Sequence, residues 1–188
     1  MKLVSYKAGN RSSYGVAVDG GIIDLAKRLP HPTLKALLAA GAIDEARRAA
    51  EGQAPDARLD GVMLLPPIPD PDKIICVGLN YDEHRKETGR EKTSHPTLFT
   101  RFADTQVGHG QALVKPKASN QFDYEGELAV IIGKRGRHVP QERAFDFVAG
   151  YSCYHDGSVR DWQFHTSQFV PGKNFPSTGG FGPWLVTK

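Results

Sequence analysis

Alternating apolar and polar positions in KLVSY (2–6) and YGVAV (14–18) predict two short strands. In VDGGIIDL (18–25), Asp19, Gly20 and Gly21 form a turn signal between two more strand-like runs. The spacing becomes helical in TLKALLAAG (33–41), where Thr33 can cap the helix and Gly41 can stop it. IDEARRAAEG (43–52) reads as a second, charged helix. LPPIPDPDK (65–73) then holds four prolines in nine residues, a linker signature. The pattern divides the chain into a small α+β unit over residues 1–66 and a second unit over 67–188.

Beyond the linker the runs lengthen. KIICVGLN (73–80), LFTRF (98–102), ALVKP (112–116), ELAVIIG (127–133), FVAGYSCYH (147–155) and PWLVTK (183–188) are strand candidates. YDEHRKETG (81–89) reads as a short polar helix ending at Gly89. SVRDWQFHTS (158–167) reads as another, with Ser158 as N-cap and Asp161 three residues on. Strands dominate and helices are short, so the fold class expected is mixed and β-rich α+β rather than doubly wound. GHG (108–110) is not a dinucleotide fingerprint, and PGKN (171–174) lacks the upstream glycine of a P-loop.

Composition narrows the function classes. The chain has 188 residues, 39% hydrophobic and 24% charged, with a formal net charge of +3, which is ordinary for a globular protein. Basic residues are spread along the whole sequence, and GKRGRH (133–138) reads as a solvated turn. The expectation is therefore no nucleic-acid partner. No apolar run reaches membrane-spanning length and the N-terminus lacks a signal-peptide stretch, so neither a membrane nor secretion is expected. Cys76 and Cys153 lie far apart in apolar runs. They are expected as buried free thiols of a cytoplasmic protein.

The candidate chemistry lies in polar residues at the ends of these runs. Glu125 and Glu127 in DYEGEL (123–128) are two apart. In a strand they would share a face, about 6.5–7 Å apart along the chain. Their carboxylates could converge on one hard cation such as Mg²⁺; a solvated sheet edge explains the pair equally well. Asp156 ends an apolar strand before Gly157, as a third candidate carboxylate or an ordinary turn residue. His84 and Glu87 are i, i+3 on a short helix, the layout of a general base oriented by a carboxylate, or of an exposed ion pair. Lys173 sits in the loop PGKNFPSTGG.

Taken together, VGLNYDEHRKE (77–87), FDYEGELAVIIGKRGRHV (122–139), VAGYSCYHDGSVRDWQ (148–163) and PGKNFPSTGGFGPWLVT (171–187) resemble the fumarylacetoacetate hydrolase family. The likeness covers most of residues 73–188 with the motifs in family order, and residues 1–66 resemble the small domain that often precedes them. The resemblance implies a mostly β roll with short helices around a Mg²⁺ or Mn²⁺ held by Glu125, Glu127 and Asp156. It implies His84 and Glu87 as a catalytic dyad, Lys173 as a residue contacting substrate or intermediate, and Gln163 as a polar substrate contact. Arg101, where many relatives have lysine, is a candidate for a substrate carboxylate or, equally, a structural surface arginine. The substrate implied is a small 2-oxo acid or 1,3-diketo acid, and the assembly a homodimer. The expected activity is hydrolysis of a C–C bond in an acylpyruvate-like compound through a stabilised enolate. Oxaloacetate-type decarboxylation, keto–enol isomerisation and a non-catalytic role are the alternatives. Family members usually continue past the WLVTK strand, so the catalytic domain is expected to be incomplete at its C-terminus.

Overall fold

The computed structural model describes residues 1–87, 89, 91 and 93–188, with His84 described by its backbone alone. The first unit is built from strands β1 (Lys2–Ala8), β2 (Arg11–Val18) and β3 (Gly21–Asp24), which form an antiparallel meander. The β2–β3 turn is the expected Asp19-Gly20 pair, with Gly20 at φ +71, where a side chain would be strained. Helix α1 (Leu34–Ala39) buries Leu34, Leu37 and Leu38, one face at i, i+3 and i+4. Its N-terminus is closed by Thr33, whose hydroxyl accepts from the Ala36 N–H at 3.1 Å. Helix α2 (Ile43–Ala50) follows with a single buried residue, Ala46.

Short strands β4 (Ala57–Arg58) and β5 (Met63–Leu64) end this unit. The proline segment after it packs down: the Ser5 hydroxyl donates to the Pro67 carbonyl at 2.7 Å, and Ile68 is buried.

The second unit begins with β6 (Ile74–Gly78), helix α3 (Asp82–Glu87) and β7 (Thr97–Arg101), with β6 and β7 paired as an antiparallel ribbon. Then come β8 (Gln106–Gly108), β9 (Phe122–Asp123), β10 (Gly126–Ile132), β11 (Val148–Asp156) and β12 (Ser158–Val159). Two one-turn helices, α4 (Arg160–Gln163) and α5 (Val170–Lys173), lead into β13 (Gly179–Thr187). One sheet runs in the order β10, β11, β13, β1, β2, β3, β4. It crosses the proline segment because β13 pairs antiparallel with β1, Leu185 opposite Leu3. The main core crosses with it, joining Leu3, Leu25, Leu34 and Leu37 to Ile131, Ala149, Phe181 and Leu185.

The architecture is the β-rich α+β class expected. Three local expectations are corrected. ALVKP (112–116) is irregular rather than a strand. The helix expected over 158–167 is confined to α4, because Ser158 pairs with Asp123 in the β9–β12 ladder and so cannot cap it. Cys153 is exposed, and only Cys76 is partly enclosed; both are free thiols.

Strand β10 lies at the edge of the large sheet. Its inner face carries Glu127, Ala129 and Ile131, while Leu128, Val130 and Ile132 face outward and are exposed. The β6–β7 ribbon likewise turns Cys76, Phe99 and Arg101 inward and leaves Ile75, Val77 and Leu98 outside. Both elements therefore carry apolar residues on two faces, the pattern of strands with a layer on each side.

Candidate active site

The inner faces of β6, β7, β10 and β11 meet at the C-terminal end of β11. The ladder places Gly126 opposite His155, and the Asp156 N–H donates to the Glu125 carbonyl at 2.9 Å. This contact brings Glu125, just ahead of β10, beside Asp156. Lys173 arrives from α5, which closes tightly on α4: a side chain at Gly172 would collide with the Gln163 backbone. The Lys173 ammonium is buried and donates to Glu125 Oε2 at 2.6 Å and to Asp156 Oδ2 at 2.7 Å. It also lies 5.0 Å from the centre of the Phe99 ring, a cation–π distance.

Two guanidinium groups hold the remaining oxygens. Arg101, at the end of β7, donates to Asp156 Oδ1 at 2.7 Å, to the Gly157 carbonyl at 3.0 Å and to the Thr178 hydroxyl at 2.9 Å. Its side chain is fully enclosed. A Cβ on Gly179 would come within 2.9 Å of Arg101 Nη2 and of the Tyr154 hydroxyl, so β13 starts hard against the guanidinium. Arg101 thus stands behind Asp156 as its counter-cation. The alternative expectation, a structural arginine at the surface, is corrected in its placement, because Arg101 is buried.

Arg160 opens α4 and bonds Asp123 Oδ2 through Nε at 2.9 Å, Glu125 Oε1 at 2.7 Å and the Gln163 side-chain carbonyl at 2.9 Å. The result is a chain of alternating charge: Arg160, Glu125, Lys173, Asp156, Arg101. Arg160 was not among the expected site residues, although it stands in the DGSVR segment (156–160) that carries the resemblance.

Glu127 is the exception. Burial raises its carboxyl pKa, and the neighbouring charges of Glu125 and Asp156 raise it further; contact with the Tyr81 hydroxyl and the Lys173 charge work the other way. Cys76, on the inner face of β6, is pushed up to about 12 by burial first and by Asp156 next, which keeps it a neutral thiol. His155 is lowered, chiefly by burial and then by Arg101, and its Nδ1 accepts from the Glu125 N–H at 3.4 Å. No sequence pattern marked either residue for the site. Gln163 is buried and turned toward Arg160. Glu87 is exposed at the end of α3, and the His84 side chain lies outside the described residues.

Two of the three expected metal ligands, Glu125 and Asp156, therefore meet around an ammonium. Among the described residues, no three Asp, Glu, His or Cys side chains gather closely enough to hold an ion as they stand. The donor chemistry nevertheless fits a hard divalent cation: buried Asp156 and half-buried Glu125 and Glu127 neighbour one another, and burial and the other two carboxylates oppose ionisation of Glu127. A groove of about 1150 Å³ between Met63, His109 and Trp184 is lined by none of these groups. The carboxylates are the candidate for chemistry because Asp156, Lys173 and Arg101, all buried, converge there with Glu125.

Residues 73–188 match the model of the fumarylacetoacetate (FAA) hydrolase C-terminal domain family. The chain belongs to this family. A mitochondrial oxaloacetate tautomerase of Rattus norvegicus is 36% identical over 197 residues, spanning all of this chain and 63% of its own length. The corresponding protein of Homo sapiens is 37% identical over 198 residues, again with 63% of its length covered. Among solved structures, a putative HpcE protein from Mycobacterium smegmatis matches the whole chain and 66% of its own, at TM-score 0.85 and 35% identity. A maleylpyruvate hydrolase from Sphingobium sp. SYK-6, in complex with manganese(II) and pyruvate, matches the whole chain and 67% of its own, at TM-score 0.77 and 26% identity. The chain thus spans under two thirds of the curated family relatives named here. Among its described residues no helix is long and apolar enough to cross a membrane.

Proposed function

We propose that the chain carries the centre of a divalent-metal-dependent hydrolase that cleaves a C–C bond in an acylpyruvate or another 1,3-diketo acid. The observation that carries this reading is the buried meeting of Glu125, Asp156 and Lys173, with Glu127 beside them short of positive charge. Glu125, Glu127 and Asp156 would hold Mg²⁺ or Mn²⁺, which supplies a Lewis acid for the oxygens of a 2-oxo acid. The manganese in the maleylpyruvate hydrolase complex supports a divalent ion.

The chain's own residues do the rest. Lys173 offers a positive hydrogen-bond donor to the oxygen that becomes anionic as an enolate forms. His84 and Glu87, the dyad that the resemblance implies, take a proton from water. The water oxygen bonds to the distal carbonyl carbon, the adjacent C–C bond breaks, and its electron pair becomes the enolate of pyruvate. A proton then converts the enolate to pyruvate, leaving a carboxylic acid as the second product. Gln163 is the polar contact for substrate. The homodimer expected for the assembly rests on the family resemblance alone.

A second reading has its own support. The curated relatives of Rattus norvegicus and Homo sapiens are named oxaloacetate tautomerases. Tautomerisation and decarboxylation of oxaloacetate need the same enolate stabilisation without addition of water. The test is one preparation assayed with saturating Mg²⁺ or Mn²⁺ on an acylpyruvate and on oxaloacetate. Pyruvate and carboxylate formed in equal amounts support the hydrolase. Enol–keto conversion of oxaloacetate without acylpyruvate cleavage replaces it with the second reading.

A further inference from the structure

We propose that the Lys173 ammonium is the resident cation of the carboxylate centre, and that a divalent ion enters by displacing it. This rests on the metal reading above and adds an exchange of cations to it. The four carboxylate oxygens of Glu125 and Asp156 are each engaged by a positive donor: Oε1 by Arg160 and Oε2 by Lys173, Oδ1 by Arg101 and Oδ2 by Lys173. An arriving cation meets oxygens already neutralised, and repels the charge that neutralises them.

The three resident cations are not equally free to leave. Arg101 is locked by Asp156, the Gly157 carbonyl and Thr178, and walled in by Gly179. Arg160 is forked between Asp123, Glu125 and Gln163. Among the described residues Lys173 bonds only the two carboxylates, and beyond them it faces the Phe99 ring. It is a point charge on a flexible four-carbon stem, so it can move without breaking a planar fork. Lys173 also bridges the two residues that need to turn their oxygens toward a shared ion. Its release does two things at once: it frees Glu125 Oε2 and Asp156 Oδ2, and it makes an ammonium available beside the loaded centre. Metal loading thereby prepares the group that meets an anionic substrate, and metal precedes substrate in the order of binding.

The test is calorimetric titration of Mn²⁺ into the full chain at fixed pH and salt, for wild type, Lys173→Met and Lys173→Gln. The expected result is one Mn²⁺ per chain, bound at least about tenfold more tightly by both variants, because the competing charge is gone. Equal or weaker binding by the variants would show that Lys173 organises the carboxylates instead of competing, and overturns the inference while leaving the metal site standing. No Mn²⁺ binding by any of the three removes the metal reading and this inference together. A second readout needs no substitution. Labelling of Lys173 by an amine-reactive reagent, followed by mass spectrometry, should rise several-fold in wild type when Mn²⁺ is added. Unchanged labelling with Mn²⁺ bound contradicts displacement even if both variants fail to fold.

Discussion

Two pairs of shielded carboxylates among the described residues, Asp24 with Asp56 and Glu125 with Asp156, are satisfied in different ways. In the first unit, Asp24 accepts from the Ser13 hydroxyl at 2.8 Å and the Ala26 N–H at 2.9 Å, and Asp56 from the Asp24 N–H at 2.9 Å. Arg28 and Lys27 complete Asp56 from the surface at 2.6 and 3.1 Å. Backbone donors cannot move without unfolding the loop, so these aspartates are fixtures. Glu125 and Asp156 accept from side-chain cations, one of them a lysine whose oxygen partners among the described residues are these two carboxylates. The difference separates an ion pair that holds a fold from one that can be exchanged for a ligand.

Breaking each pair should show that difference, and the largest effect belongs to the site. Asp156→Ala leaves Arg101 and Lys173 enclosed without their shared partner, and should cost about 3–5 kcal/mol in denaturant unfolding. Asp56→Asn should cost about 1.5–3 kcal/mol by the same measurement, the worth of hydrogen bonds to a charged group, and leave Mn²⁺ binding unchanged. Burial opposes ionisation of Asp56, but the Asp24 N–H, Arg28 and Lys27 outweigh it and hold its pKa at about 2 against 3.8. Its folded pKa is depressed, so its contribution is full above 3.8 and fades as pH falls toward 2. The wild-type and Asp56→Asn stabilities should therefore converge in that window. Thr33→Ala, which removes only the α1 cap, should cost about 1 kcal/mol with no change at the site.

The smallest effect has the opposite sign. The Glu127 carboxyl is raised above 4.5, so its charge destabilises the fold once it ionises. Glu127→Gln should raise the melting temperature slightly in metal-free protein. The gain should be absent below pH 4.5 and grow as pH rises through the folded pKa. A fall in melting temperature at neutral pH would mean that Glu127 is paired more fully than its surroundings indicate.

These contrasts also mark what the sequence could disclose. Local signals were legible: the Thr33 cap, the Asp19-Gly20 turn and strands β6, β10 and β11 follow from spacing and turn chemistry. ALVKP misled because an apolar composition in a short run does not guarantee a partner strand. Ser158 misled because a residue that could cap a helix was taken by a ladder with Asp123. Glu125, Asp156 and Lys173 carry family motifs and could be named, but their pairing joins residues 48 and 17 apart and is settled only by packing. The burial of Arg101 was hidden for the same reason: its partner Asp156 is 55 residues away, and nothing near FTRF shows that the guanidinium is enclosed.

The central claim is that Glu127 joins Glu125 and Asp156 in holding one divalent ion. Mn²⁺ titrated into wild type and Glu127→Gln at neutral pH, on preparations of matched melting behaviour, tests it most directly. The account predicts one ion per wild-type chain and at least about tenfold weaker binding in the variant, since a charged hard ligand has become a neutral one. Equal affinity in the two proteins would contradict it, and would leave the carboxylates as an ion-paired chain around Lys173 and nothing more.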